Sequence, residues 1–353
     1  MQPVVTIVIA TFNSEKTLPK VLKAIRSQTY PSNKVELLAV DGGSKDTTLK
    51  IARKFGCRII NNPRTEPLYA RYLGYIKARG KYLMYIDHDE VLRNKMSIQK
   101  KIDAMSSDSR VHLVVFSGYQ SPRGLPFINN YINEFGDPFS FFVYGTSKNS
   151  RYFIQTLKTS SRILFQNKDY VVFDFSNAET LPFIELGTAG CLIDLDYFKK
   201  NFPQVNTKYY LIPLLFYLIA KKFPYLAVTK NDPLIHYSAD TLKIYFNKIR
   251  WRVKNNIYHI SSIGVSGFAG REKYYPFWMR LKKYLFIPYS YSLVLPLLDS
   301  FYLIITRKSL FYLVHVPLCF YTATLIVFHR LLKLFGFRPP LRSYDESKIV
   351  KKS

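Results

Sequence analysis

The sequence predicts an α/β protein built on a sheet with helices on both faces. Three apolar runs, Val4 to Ala10, Val35 to Val40 and Tyr82 to Ile86, each stop abruptly at polar or acidic residues. The segments between them carry apolar residues at helical spacing, and strands alternating with short amphipathic helices make a parallel sheet with right-handed crossovers. A third observation extends the architecture. A basic amphipathic segment and two long apolar stretches toward the carboxyl end predict amphipathic and membrane-associated helices there.

The first run enters Thr11-Phe12-Asn13, where Ser14 is placed to cap a helix whose Leu18, Val21, Leu22 and Ile25 share one face. The second enters Asp41-Gly42-Gly43-Ser44-Lys45-Asp46, with Asp46 as the cap of a helix carrying Leu49, Ala52 and Phe55 that Gly56 stops. The third delivers Asp87-His88-Asp89-Glu90 to the sheet edge. Ligands of such sheets bind outside the carboxyl ends of the strands, so Thr11, Asp41 and Asp89 are expected to share one crevice. Two carboxylates one residue apart suit a hard divalent cation, leaving positions for water and phosphate. A lone DxD is common by chance, but this one follows two strand ends of the same design.

The segments Thr11-Phe12-Asn13, Val40 to Asp46, Ala70-Arg71-Tyr72-Leu73-Gly74, Ala78-Arg79-Gly80-Lys81-Tyr82 and Asp87-His88-Asp89 resemble, in that order, the nucleotide-binding half of the family 2 glycosyltransferases, which have the GT-A fold. Motifs agreeing in order and spacing are far more specific than any one of them. The resemblance implies that Ala10, Thr11 and Phe12 lie along a nucleoside and that Asp41 accepts a hydrogen bond from its base. It places Arg71 near base and phosphates, and assigns Asp87 and Asp89 to ribose and metal, with Asp89 the direct ligand of Mg2+ or Mn2+. His88 is at most a nucleotide contact, and Arg79 reads as a solvated charge before a strand. Further on, Asp232-Pro233-Leu234-Ile235-His236-Tyr237 resembles the strand whose terminal histidine, here His236, reaches metal or diphosphate. The implied activity is inverting hexosyl transfer from a nucleotide-diphosphate sugar, with the metal neutralising the leaving phosphate.

The acceptor side departs from the family pattern. The glycine-containing loop is recognisable at Gly187-Thr188-Ala189-Gly190-Cys191-Leu192-Ile193, which puts Gly190 on that side, but the acidic pair expected on the next helix is absent. Tyr209 to Tyr217 holds no carboxylate. Glu185, with Glu179 second, is the nearest candidate base; alternatively the acceptor is a phosphate, already an anion, that needs none. Asn247-Lys248-Ile249-Arg250-Trp251 is similar to the QxxRW element of processive sugar synthases and offers Arg250 and Trp251 as acceptor-side residues, although a basic packing helix is the plainer reading.

Leu242 to Ile257 reads as that basic amphipathic helix. Tyr284 to Thr306 contains Asp299 as its single charged residue, and Ser309 to His329 contains no Asp, Glu, Lys or Arg. Both suit spans of about 20 residues, with basic and tyrosine flanks. Arg307 and Lys308 between them, together with Pro288, Pro296 and Pro317, leave re-entrant or interfacial helices open. Asp299 should face protein or water.

The net charge of +27 requires an anionic partner. The basic residues are spread along the chain with no nucleic-acid motif, so anionic lipid and nucleotide diphosphate are expected rather than nucleic acid. The three cysteines have no metal spacing and cannot all pair, which fits a reducing cytoplasm. No signal peptide precedes the first strand, so delivery to the cell membrane is expected from the carboxyl end, with the catalytic domain on the cytoplasmic side. The expected organisation is a nucleotide-sugar-binding half over 1–110, an acceptor-side half over 111–240, a basic amphipathic region over 241–283, membrane-associated helices over 284–336 and a basic tail over 337–353. Ser117 to Asp169 reads as an acceptor-side insertion.

The leading function is metal-assisted transfer to a lipid-linked or surface glycan. Its alternatives are a polyprenyl-phosphate glycosyltransferase and a non-catalytic membrane scaffold retaining a nucleotide pocket. A nucleotidyltransferase would need a glycine- and arginine-rich first loop, and Thr11-Phe12-Asn13 stands in its place.

Overall fold

A computed structural model describes residues 4–183, 190–260 and 267–342. The chain divides into two compact units, Met1–Gln120 with Ser150–Tyr237 and Ser121–Asn149 with Ser238–Lys352. The division differs from the one expected. Residues 121–149 leave the 111–240 segment because their buried Ile128, Tyr131, Ile132 and Phe135 pack with Tyr245, Ile249 and Leu318 of the C-terminal helices.

The first unit is an α/β fold. Its strands are β1 (Val5–Thr11), β2 (Val35–Asp41), β3 (Arg58–Asn61), β4 (Tyr82–Asp87), β5 (Glu90–Leu92), β6 (Leu113–Val115), β7 (Tyr119–Gln120), β8 (Arg162–Gln166), β9 (Tyr170–Asp174), β10 (Leu192–Asp194), β11 (Tyr225–Thr229) and β12 (Leu234–His236). Among the described residues nine of them form one mixed sheet in the order β3-β2-β1-β4-β10-β6-β11-β9-β8. The first four are parallel, and β10 enters antiparallel between β4 and β6. Every residue of β1 is buried, as expected of a parallel strand covered on both faces. The helix Leu18–Arg26 buries Leu18, Val21, Leu22 and Ile25, the face its spacing predicts. The helix Thr48–Lys54 stops just before Gly56, whose φ of +72° is the left-handed turn that glycine accommodates. Gly74 brings the helix Pro67–Lys77 hard against β1, because a Cβ there would stand 2.3 Å from Val8 Cγ1.

One local expectation fails. Ser14 does not cap with its side chain: its hydroxyl exchanges hydrogen bonds with the backbone of Phe12, and its carbonyl accepts from Leu18 N at 2.9 Å. Asp46 accepts from Thr48 N at 2.9 Å at the start of its helix.

The second unit is helical among its described residues. Tyr284 to Thr306 is not one continuous span: the helices Phe277–Tyr291 and Val294–Arg307 meet at 94°, with Leu293 between them at φ +56°. Leu310–Leu334 is a single stretch of 25 residues, long and apolar enough to cross a membrane. Asp299 accepts a hydrogen bond from Tyr289 Oη at 2.6 Å, so its carboxylate faces protein.

Candidate active site

The carboxyl ends of β1, β2 and β4 converge because the strands pair in register, Thr11 opposite Asp41 and Ala10 opposite Asp87. Asp41 is buried, and its carboxylate organises the turn that follows. Oδ1 accepts from Thr11 Oγ1 at 3.0 Å and Ser44 Oγ at 2.6 Å, while Oδ2 accepts from Gly43 N at 2.9 Å and Ser44 N at 2.8 Å. Four donors match the lone-pair capacity of one carboxylate. Gly-Gly-Ser directly after the acid supplies donors to both of its oxygens, so Asp41, the residue expected to meet the base, also shapes the loop that follows β2. Gly42 N donates to Thr11 O at 2.8 Å and ties this loop to the end of β1.

Arg71 lies on the helix Pro67–Lys77, and its Nη2 reaches both Asp87 oxygens, at 2.8 and 2.6 Å. Asp87, the residue expected to serve ribose and metal, is thus paired with Arg71 in this structure. Glu90, an acid with no role expected from the sequence, is buried. It accepts from Asp87 N at 3.0 Å and from Tyr119 Oη at 2.7 Å. Burial, and after it the charge of Asp87, pushes the Glu90 carboxyl up to about 7. Its signal was an acid three residues after Asp87, placed to close the strand-end turn on itself.

β12 pairs antiparallel with β5, His236 opposite Glu90, and Tyr237 N donates to Asp89 O at 2.9 Å. This brings His236 Nε2 to 3.6 Å from Asp89 Oδ2, with both side chains about a fifth exposed. Tyr119 packs on the imidazole at 4.8 Å between ring centroids while its hydroxyl holds Glu90. His88 Nδ1 lies 3.0 Å from Thr17 Oγ1.

Among the described residues no group of three or more His, Cys, Asp or Glu side chains is arranged to hold a metal ion. Asp89 and His236 fit part of such a site. Their separation exceeds a hydrogen bond and suits two ligands each about 2.1 Å from one ion, leaving the other positions for phosphate oxygens and water.

On the acceptor side, Gly190 has φ +52°, donates to Tyr85 O at 2.8 Å, and packs so tightly that a Cβ would stand 2.3 Å from Leu234 Cδ1. Its position is explained by packing at the entry to β10. Glu185 and Gly187 to Ala189 lie outside the described residues, and Glu179 is exposed. Tyr209–Leu214 and Leu215–Lys222 form consecutive helices that bury Ile212, Leu214, Leu215 and Phe216, so the segment lacking acids is core. In the second unit Arg250 is exposed, and Trp251 Nε1 donates to Arg342 O at 3.0 Å.

Residues 6–175 match the family model described as Glycosyl transferase family 2. The chain is 36% identical over 93 residues to glycosyltransferase AglE of Haloferax volcanii, covering 25% of this chain and 31% of that protein. It is 32% identical over 107 residues to the 4,4'-diaponeurosporenoate glycosyltransferase of Staphylococcus haemolyticus, 28% of each. The chain therefore spans less than a third of the length of these two curated relatives. A crystal structure of S. aureus TarS 1-349 aligns with a TM-score of 0.47 at 14% identity, covering 94% of this chain and 92% of that one.

Proposed function

With residues 6–175 carrying family 2 glycosyltransferase sequence, we propose that the protein is an inverting hexosyltransferase with a GT-A-type nucleotide-binding half. It moves a sugar from a nucleotide-diphosphate sugar to a lipid-linked or surface glycan at the cell membrane, with its catalytic part on the cytoplasmic side. The observation that carries this reading is the pairing of β5 with β12, which sets His236 beside Asp89 at the edge reached by Thr11, Asp41 and Asp87. Ala10, Thr11 and Phe12 cradle the nucleoside, with the Asp41 loop and His88 beside it. Arg71, oriented by Asp87, faces the donor with a fixed positive charge. Asp89 and His236 are the residues that would hold Mg2+ or Mn2+, which when bound supplies Lewis-acid neutralisation of the departing diphosphate. Incubating membranes that contain the protein with a panel of labelled nucleotide sugars and extracting the lipids tests the proposal. Label in the lipid-linked fraction supports it. Nucleotide binding without transfer or hydrolysis would leave the scaffold reading instead.

Asp41→Ala is expected to raise the nucleotide dissociation constant about tenfold, the scale of losing one charged hydrogen-bonding centre, with little change in turnover. The loop it holds contributes equally to ground and transition states, so titration calorimetry and kcat should separate. An unchanged dissociation constant would remove the Asp41 loop from the site.

The apolar burial of the helix that lacks acids favours testing a second reading, a polyprenyl-phosphate acceptor that needs no base. With a hydroxyl acceptor, Glu179→Gln or Glu185→Gln should slow turnover about a hundredfold, the typical scale of general-base catalysis. Mild effects in both variants, with a product labile to mild acid, would establish the phosphate acceptor.

A further inference from the structure

Among its described residues the helical unit contains one unbent stretch able to cross a bilayer by length and composition, Leu310–Leu334, yet its surroundings argue against crossing. Near its start, Tyr312 Oη donates to Glu134 Oε2 at 2.5 Å, and Arg307 Nε reaches Glu134 Oε1 at 2.8 Å. Glu134 is fully buried, and Ser147 Oγ adds a third donor at 2.9 Å. Further along, Tyr321 packs against Phe246 at 4.7 Å between centroids. Toward its end, Tyr258 Oη donates to His329 O at 2.8 Å, and Lys333 Nζ to Ile257 O at 2.6 Å.

The apolar stretch therefore runs beside the helix Leu242–Tyr258, which carries Lys243, Lys248, Arg250, Arg252 and Lys254. A span needs about 30 Å of hydrocarbon, so crossing would draw that neighbour in as well. Basic residues held near the bilayer centre are disfavoured there, because hydrocarbon cannot solvate their charge.

The other apolar stretch is bent by 94° and its helices leave apolar side chains in solvent. Val294, Leu298, Phe301 and Ile305 recur at helical spacing and are 49 to 74% exposed, whereas Pro296, Ser300 and Leu303 on the same helix are buried. On the helix Phe277–Tyr291, Lys282 lies over the Trp278 ring at 5.4 Å and Lys283 over Tyr284 at 4.8 Å. Basic residues interleaved with Trp and Tyr beside an apolar face match the headgroup boundary of an anionic leaflet.

We propose that this unit is a monotopic anchor. It buries the exposed apolar faces of Phe277–Tyr291 and Val294–Arg307 in one leaflet of an anionic membrane, while Leu310–Leu334 lies along the interface without crossing. The proposal deepens the membrane location proposed above and rests on it.

The test uses the full chain. It should float with phosphatidylcholine–phosphatidylglycerol vesicles more than with phosphatidylcholine alone, and Leu298→Glu with Ile305→Glu should lower the bound fraction about tenfold or more. Topology is read with Lys308→Cys and Arg338→Cys, which flank the long apolar helix; the native Cys57, Cys191 and Cys319 are all buried. In sealed membrane vesicles of defined orientation, an impermeant maleimide should label both positions from the same side. Labelling from opposite sides would overturn the one-leaflet geometry while leaving membrane association standing. Failure to float, or self-association in solution through this face instead, would overturn the membrane location itself.

Discussion

Asp89→Asn is expected to reduce transfer by on the order of a hundredfold or more, the scale of losing one electrostatic contributor at a developing charge. The substitution keeps shape and removes charge. Asp89 is about a fifth exposed, and its backbone oxygen holds Tyr237 N irrespective of the side chain, so β5–β12 pairing should survive. The melting temperature without ligand should therefore change little while turnover falls. His236→Ala provides the companion measurement. If the two side chains hold one ion, the double variant should lose little more than the worse single variant, because groups acting as a unit are not additive. Added Mn2+ should partly restore His236→Ala and restore Asp89→Asn less, since the carboxylate supplies the charge. Near-full activity of Asp89→Asn at saturating nucleotide sugar would remove this residue from the chemistry.

The crevice was legible because its strands are parallel and buried on both faces. Each reads as a largely apolar run, interrupted only by Thr6 in β1 and Glu36 near the start of β2, and the polar residue ending it marks the sheet edge, as Thr11, Asp41 and Asp87 do. Spacing also gave the buried face of the helix Leu18–Arg26, but the helix Thr48–Lys54 buries Thr48 and Ala52 and leaves Leu49 half-buried. What the sequence concealed depends on non-local pairing. β10 is three residues long and enters antiparallel from about a hundred positions beyond β4, leaving no periodicity to read. Glu90, Tyr119 and His236 become one cluster through two short strand pairings whose partners are far apart in sequence. Arg307 looked misplaced between two apolar stretches until its partner, buried Glu134, came from a segment read as an acceptor-side insertion. The break at Leu293 has no local signature either, since a leucine at positive φ is held by its surroundings and not by its own preference.

The second large effect concerns the support beneath His236. Lys101 and Asp232 form a buried ion pair, at most 1% exposed on either side, on the helix Ser97–Ser106 and just before β12. Ser97 Oγ accepts from Lys101 Nζ at 2.7 Å, Thr229 Oγ1 donates to Asp232 Oδ2 at 2.8 Å, and Asp232 N donates to Ser117 Oγ at 2.9 Å. Removing one member leaves the other charge without its counter-ion in a medium that solvates it poorly. Asp232→Ala should accordingly cost about 3–5 kcal/mol. That is a fall on the order of 10 °C in the melting transition of the sheet-bearing unit. Replacing both together, Lys101→Met with Asp232→Leu, removes the orphaned charge and should recover much of the loss, although Ser97, Ser117 and Thr229 must find new arrangements. Recovery of stability need not restore activity. Asp232 also fixes the turn through Asn231, at φ +54°, from which β12 carries His236 to Asp89. The double variant should therefore be stable yet slow, with turnover depressed more than nucleotide affinity. A single Asp232→Ala variant that melts with the parent protein would show that the pair contributes no net stability, and a double variant with parental turnover would show that β12 is positioned by its backbone pairing alone.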